Sequence, residues 1–131
     1  MTYANKALRP GCELWATDVC VPISRLAECI LETKKDLKQS FLIAPLVGHV
    51  GDGNFHTLIA TPRAQYARAQ EFSGRLVRRA LELDGTASGE HGIGLTKRAY
   101  MAEEHGPALE WMRRLKALFD PDNLLNPGKI L

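Results

Sequence analysis

Three of the chain's four histidines stand beside glycines in two short stretches whose residue types could do chemistry. GHVGDGNFH, from Gly48 to His56, carries His49 and His56; SGEHGIG, from Ser88 to Gly94, carries Glu90 and His91. Imidazole nitrogens joined by one carboxylate oxygen suit a divalent transition metal, and three protein ligands leave positions open for a substrate. On spacing alone, two histidines near a turn are more often ordinary polar surface residues than ligands. What favours chemistry is the clustering of histidine beside glycines, which permit close approach of another group.

The histidine pair depends on the turn between its members. Asp-Gly at a hairpin tip favours a two-residue type I′ turn, in which both central residues take positive φ. With Asp52-Gly53 at the tip, Gly51 pairs with Asn54, Val50 with Phe55 and His49 with His56. Directly opposed residues on antiparallel strands hold their Cβ atoms about 5 Å apart on one face, within reach of one metal ion. A slip of one residue would send the rings to opposite faces.

In SGEHGIG, adjacent residues of an extended segment point to opposite sides, so Glu90 and His91 need not share a role. One can bind a metal while the other approaches a substrate. The plainer alternative is a glycine loop with both side chains solvated at its tip. Neither glycine-rich stretch fits a nucleotide motif. Gly51-Asp52-Gly53 reaches His56 where the dinucleotide fingerprint needs glycine or alanine, and Gly92-Ile93-Gly94 lacks a GxxxxGK[ST] frame. His105, before Gly106, reads as a solvent-facing residue at a helix end.

Positioning these stretches requires a small set of elements. Pro10-Gly11 marks a turn after a polar start. Leu14 to Val21 reads as a strand interrupted by Asp18 and ended by Pro22. Ser24 is the expected N-cap of a helix to about Lys38, with Leu26, Ala27, Ile30, Thr33 and Leu37 inward and Lys34, Lys35, Asp36 and Lys38 outward. Phe41 to His49 and Phe55 to Ala60 read as paired strands. Thr61-Pro62 opens a second helix striped by Ala69, Phe72, Leu76, Ala80 and Leu83, and Gly85 ends it as its C-cap residue. A short strand is expected over Thr86 to Glu90. A last helix from about Pro107 to Phe119 turns Leu109, Met112, Leu115 and Phe119 inward, and Asp120-Pro121 stops it. This order predicts an α+β fold: a ferredoxin-like antiparallel sheet with helices on one face, plus C-terminal helices.

The remaining properties set bounds. At 131 residues and 45% hydrophobic side chains, one globular domain is expected. A net charge of +2, with both signs mixed along the chain, gives no footprint for nucleic acid or anionic lipid. Cys12, Cys20 and Cys29, without a CxxC, argue against a disulfide framework or a thiolate zinc site. No apolar run is long enough to span a bilayer, and MTYANKALRPG lacks the apolar core of a secretory signal, so the chain reads as soluble.

GHVGDGNFH, SGEHGIG with the following Lys97, and the closing DPDNLLNPGKIL from Asp120 to Leu131 together resemble the C-terminal domain of FAD-linked oxidases related to vanillyl-alcohol oxidase. That family includes D-lactate dehydrogenase, glycolate oxidase and D-2-hydroxyglutarate dehydrogenase, and TDVCVPISRL from Thr17 to Leu26 resembles the D-lactate dehydrogenase branch. The resemblance covers nearly the whole chain. It implies that His49, His56 and Glu90 bind a divalent metal, zinc or manganese, that His91 is the base near the substrate, and that Asn54 and Asn126 lie near the FAD. The family's flavin-binding domain precedes this region, so residues 1–131 would be a substrate- and metal-binding part of the cap domain without it.

The resemblance further implies a D-2-hydroxyacid substrate and a cytochrome, quinone or flavoprotein as electron acceptor. The location would be cytoplasmic or peripheral to the inner membrane in a bacterium, mitochondrial in a eukaryote. Ala16 stands where the hydroxyglutarate branch carries lysine, which favours a monocarboxylate such as D-lactate. By itself the chain is expected neither to bind FAD nor to oxidise D-lactate, and strand edges left open by a missing domain would favour self-association. Two other classes stay in play: a stand-alone metal-binding or regulatory module, and a metal-dependent hydrolase, which the lack of HExxH disfavours.

Overall fold

The computed structural model describes residue 7 and residues 10–131. The reading of the N-terminus as a polar, signal-free start falls mostly on residues outside that set. A turn does occupy Pro10-Gly11, with Gly11 at φ 82°. The chain forms two compact units, Met1–Glu90 and His91–Leu131, where composition suggested one domain.

The first unit is built around a sheet. Its strands are β1 (Glu13–Ala16), β2 (Val19–Cys20), β3 (Leu46–His49) and β4 (Asn54–Thr61). NFHTLIAT, the β4 sequence, is rich in β-branched and aromatic residues, and all but one of its residues are buried, which marks it as the central strand. β1 pairs antiparallel with its C-terminal half, from Glu13↔Thr61 to Ala16↔Leu58, and β2 with its start, at Val19↔Phe55 and Cys20↔Asn54. Both keep one register, so β1 and β2 are a single edge interrupted at Thr17 and Asp18, as the charged residue foretold. β3 pairs along the other side of β4, and Thr86 forms an isolated antiparallel bridge to Cys20. The spatial order Thr86, β1–β2, β4, β3 is the ferredoxin-like one. Only that bridge remains of the strand expected over Thr86 to Glu90.

Two long helices stand out among the described residues of this unit, α1 (Ile23–Gln39) and α2 (Tyr66–Glu82). The apolar stripe expected on α2 is buried in full, with Ala69, Phe72, Leu76 and Ala80 at 0% exposure and Leu83 at 7%. Trp15 meets Tyr66 edge-on at 5.6 Å, which identifies the odd-numbered face of the β1–β4 pair as the helix-facing one. Phe55, Thr57, Ile59 and Thr61 share that face and join the core. Burying a side chain the size of Phe72 or Leu76 contributes about 1.5–3 kcal/mol.

Several local expectations are corrected. α1 begins at Ile23 after Pro22 with no side-chain cap, so Ser24 is not its N-cap. Ala27 is exposed, while Cys29 and Asp36 lie on the buried stripe, because Asp36 reaches across to Arg75 and Arg79 on α2 at 2.7 and 2.9 Å. Proline at 45 has no N–H to give a ladder, and regular pairing in β3 starts only at Leu46. Thr61 belongs to β4, and a 3-10 turn over Arg63–Gln65 separates Pro62 from α2. At the end of α2 the left-handed residue is Asp84 at φ 59°, not Gly85. Gly85 is required for another reason: a Cβ there would lie 2.3 Å from the Cys20 carbonyl oxygen.

The second unit holds a 3-10 turn at Arg98–Tyr100, α3 (Met101–His105) and α4 (Ala108–Phe119). Its tail returns to its start: Ile130 donates to Gly94 O at 2.9 Å and Arg98 to Gly128 O at 2.8 Å. Asp120 stops α4, pairs with Lys116 and accepts the amides of Leu124 and Leu125 at 2.9 Å. The inward stripe expected on α4 is mostly absent. Leu109 is buried, but Leu115 and Phe119 are 55% and 79% exposed, since one short helix and a tail offer too little surface to cover it. His105 ends α3 half-buried before Gly106, rather than solvent-facing. All three cysteines are free thiols, and no described helix is long and apolar enough to cross a membrane.

Candidate metal centre

The loop between β3 and β4 departs from the expected two-residue turn. Val50–Asp52 forms a 3-10 turn closed by Gly53 at φ 74°, with Gly53 N–H on Val50 O at 3.3 Å. Asp52 does not take positive φ, which a type I′ turn would demand of it. The register is therefore His49↔Asn54 and Val47↔His56, two residues away from the directly opposed pair. A two-residue offset keeps side chains on the same face. His49 and His56 become diagonal neighbours, with ring centroids 6.5 Å apart and planes at 87°.

Glu90 closes the gap between them. Its Oε1 lies 2.9 Å from His56 Nε2 and its Oε2 lies 3.8 Å from His49 Nε2. His56 is nearly buried, whereas the side chains of His49 and Glu90 are 65% and 45% exposed. The three residues expected to bind metal are thus brought together.

Hydrogen bonding at His56 decides which of its nitrogens could meet a cation. His56 Nδ1 lies 3.0 Å from the backbone oxygen of Thr17, which can only accept, so Nδ1 carries the proton and donates. Nε2 then turns its lone pair toward a carboxylate oxygen at hydrogen-bond distance. Two acceptors so placed need a shared proton or a cation between them. Ligand atoms at tetrahedral angles around zinc, each about 2.0–2.1 Å from it, are about 3.3 Å apart. His56 Nε2 and Glu90 Oε1, at 2.9 Å, are close enough to share one zinc-like ion, while His49 Nε2 stands 3.8 Å from the other Glu90 oxygen and would have to turn inward to join them.

Thr17 can serve this way because of the ladder around it. Its amide donates to Thr57 O at 3.0 Å and its hydroxyl meets both the Thr57 hydroxyl and the Thr57 amide at 2.9 Å. Those bonds orient the carbonyl toward His56. Asp18, the next residue, is 2% exposed and stands across from His56 in the shared register, its Oδ1 3.6 Å from Nδ1. Sequence reasoning noticed Asp18 only as a strand interruption. A charged residue in an apolar strand was itself the signal, since a buried carboxylate needs partners.

The other expected site residues fall differently. His91, which follows Glu90 directly in the chain, is exposed. Asn54 is 5% exposed, and its amide lies against the backbone of Gly89, where a Cβ would come within 2.4 Å of Oδ1. Its buried Oδ1 has no hydrogen-bond partner among the described residues. Asn126 is exposed at φ 49° and accepts from Lys129 Nζ at 3.0 Å.

The α+β fold agrees with what the sequence matches. Residues 1–130 match the family of FAD linked oxidases, C-terminal domain, and the chain belongs to that family. Among its relatives is the "Probable D-lactate dehydrogenase, mitochondrial" of Danio rerio, 57% identical over 133 residues, covering 98% of this chain and 27% of that protein. D-lactate dehydrogenase (cytochrome) 1, mitochondrial, of Saccharomyces cerevisiae is 45% identical over 130 residues, covering 97% of this chain and 22% of its own length. Glycolate oxidase subunit GlcD of Escherichia coli K12 is 42% identical over 105 residues, covering 76% and 21%. The chain spans about a quarter of the length of these curated relatives.

Proposed function

We propose that this chain is the metal-carrying part of a flavin-dependent D-2-hydroxyacid dehydrogenase that oxidises D-lactate to pyruvate. The observation that carries the proposal is the His56 Nε2 lone pair facing the Glu90 carboxylate at 2.9 Å, with Nδ1 committed to Thr17. His56, Glu90 and His49 would hold a zinc or manganese ion. The bound ion supplies Lewis acidity at a developing alkoxide, and the family's flavin supplies a two-electron acceptor for the hydride equivalent.

What remains falls to the chain's own side chains. His56 and Glu90 would hold the ion at a fixed point, and His49 would complete the set from the exposed side. His91 takes the proton of the α-hydroxyl as general base. Ala16 shares the sheet face of Asp18 and His56 and brings no cation, which supports a monocarboxylate substrate. Asn54 and Asn126 are the candidates for the cofactor side. By itself the chain is proposed to turn over no D-lactate.

A cytochrome is the proposed electron acceptor, after the name of the yeast relative, with a quinone or flavoprotein as substitutes. The mitochondrial names of the relatives support that location in a eukaryotic source. Self-association through the outer edge of β3 is proposed as well, since β3 pairs only with β4 among the described residues.

Metal analysis of the purified chain beside His49→Ala, His56→Ala and Glu90→Ala tests the centre. About one zinc or manganese per chain is expected in the wild type, with losses in all three variants. Equal metal content in all four proteins removes the centre.

A further inference from the structure

We propose that Asp18 is the positioning residue of this centre: its buried carboxylate docks the Ser88–Glu90 segment so that Glu90 meets His56. The inference rests on reading His56 and Glu90 as ligands. Asp18 Oδ2 accepts from Ser88 Oγ at 3.0 Å and from the Glu90 amide at 3.1 Å, and Oδ1 lies 3.3 Å from the same amide. Oδ1 also lies 3.6 Å from His56 Nδ1.

These contacts explain why a carboxylate is buried in an otherwise apolar strand. The Glu90 amide is the root from which its side chain emerges. Holding that amide on Asp18, directly across the ladder from His56, fixes where the Glu90 carboxylate can go. The segment rests on a second point between the two bonded residues: Gly89 lies so close to Asn54 that a Cβ would be 2.4 Å from Oδ1. Asp18 on one strand and Asn54 on its neighbour thus seat three consecutive residues. Without that seat, Glu90 is an exposed loop residue whose ordering must be supplied when the metal binds.

The test uses the full chain with zinc, with affinity measured by chelator competition, and amide hydrogen exchange on the metal-free protein. Asp18→Ala is expected to weaken zinc binding about 10–100-fold, as outer partners of metal ligands commonly do. It should also speed exchange at Glu90 while β4 amides stay protected. Asp18→Asn keeps one acceptor for the Glu90 amide and should rescue part of both effects, and it carries the test if the alanine variant does not fold. A general structural role would instead lower protection across the sheet. Wild-type zinc affinity and Glu90 exchange in either folded variant overturns the proposal. If the wild type takes up no zinc but Glu90 exchange still depends on Asp18, the docking role stands and the metal reading fails.

Discussion

His56 Nδ1 and the backbone oxygen of Thr17 are 3.0 Å apart, and that single contact decides which ring nitrogen is left for chemistry. A carbonyl cannot donate, so the imidazole must keep its Nδ1 proton and offer Nε2. Nitrogen-15 NMR of the metal-free chain should find His56 Nδ1 in the protonated, pyrrole-like shift range. Added zinc should move the Nε2 resonance and leave Nδ1 protonated. A pyridine-like Nδ1 in the folded protein would contradict this assignment.

The two glycines flanking Asp52 should behave in opposite ways. A Cβ at Gly51 meets nothing within 4 Å, whereas one at Gly53 would lie 2.0 Å from the Val21 oxygen, on a residue already at φ 74°. Gly51→Ala should be neutral or stabilise by about 0.4–1 kcal/mol through the unfolded chain. Gly53→Ala should destabilise by about 1–3 kcal/mol or more. Urea unfolding of both variants checks the pair; a tolerated Gly53→Ala would argue for a different turn.

Asp36 links α1 to α2 and makes a pH prediction. Burial raises its carboxyl pKa, but hydrogen bonds from Arg75, Arg79 and Ser40, with the charge of Arg75, outweigh it and hold the group below its ordinary 3.8. A carboxyl lowered on folding stabilises fully above its unfolded value, and that contribution is lost as pH falls through the lower folded value. Asp36→Asn should cost about 1–3 kcal/mol at pH 7, less than for a fully buried pair because Arg75 is 44% exposed. Below about pH 4 the wild type should lose stability more steeply than the variant. Parallel acid dependence in the two proteins would remove Asp36 from the account.

Self-association predicts a concentration-dependent sedimentation coefficient for the wild-type chain. Val47→Lys, on the exposed-edge strand β3, should shift it toward monomer. A monomer at every concentration would end the proposal.

The sequence was most legible where periodicity or a charged intruder spoke plainly. Every residue of the α2 stripe is buried, the strand order could be written from hydrophobic runs, and Asp18 marked the break between β1 and β2. The turn was less so. Asp52-Gly53 supplies only one positive-φ residue, because Gly53 closes a longer loop, and short-range preference for the two-residue turn gave way to that geometry. Asp36 was misread as surface because its partners, Arg75 and Arg79, lie some forty residues away on another helix. The inward stripe on α4 failed for the converse reason: Leu115 and Phe119 are spaced like core residues but find no second layer.

The Val50–Gly53 loop also sets a parity for the histidine pair. Side-chain direction alternates along a strand, so lengthening or shortening this loop by an even number of residues, with register adjusting to match, would preserve a shared face. A slip of the pairing by an odd number would place His49 on the helix side of the sheet, away from Glu90. Register parity in this hairpin is therefore a binary control on whether two imidazoles can meet at all, independent of which residues fill the loop.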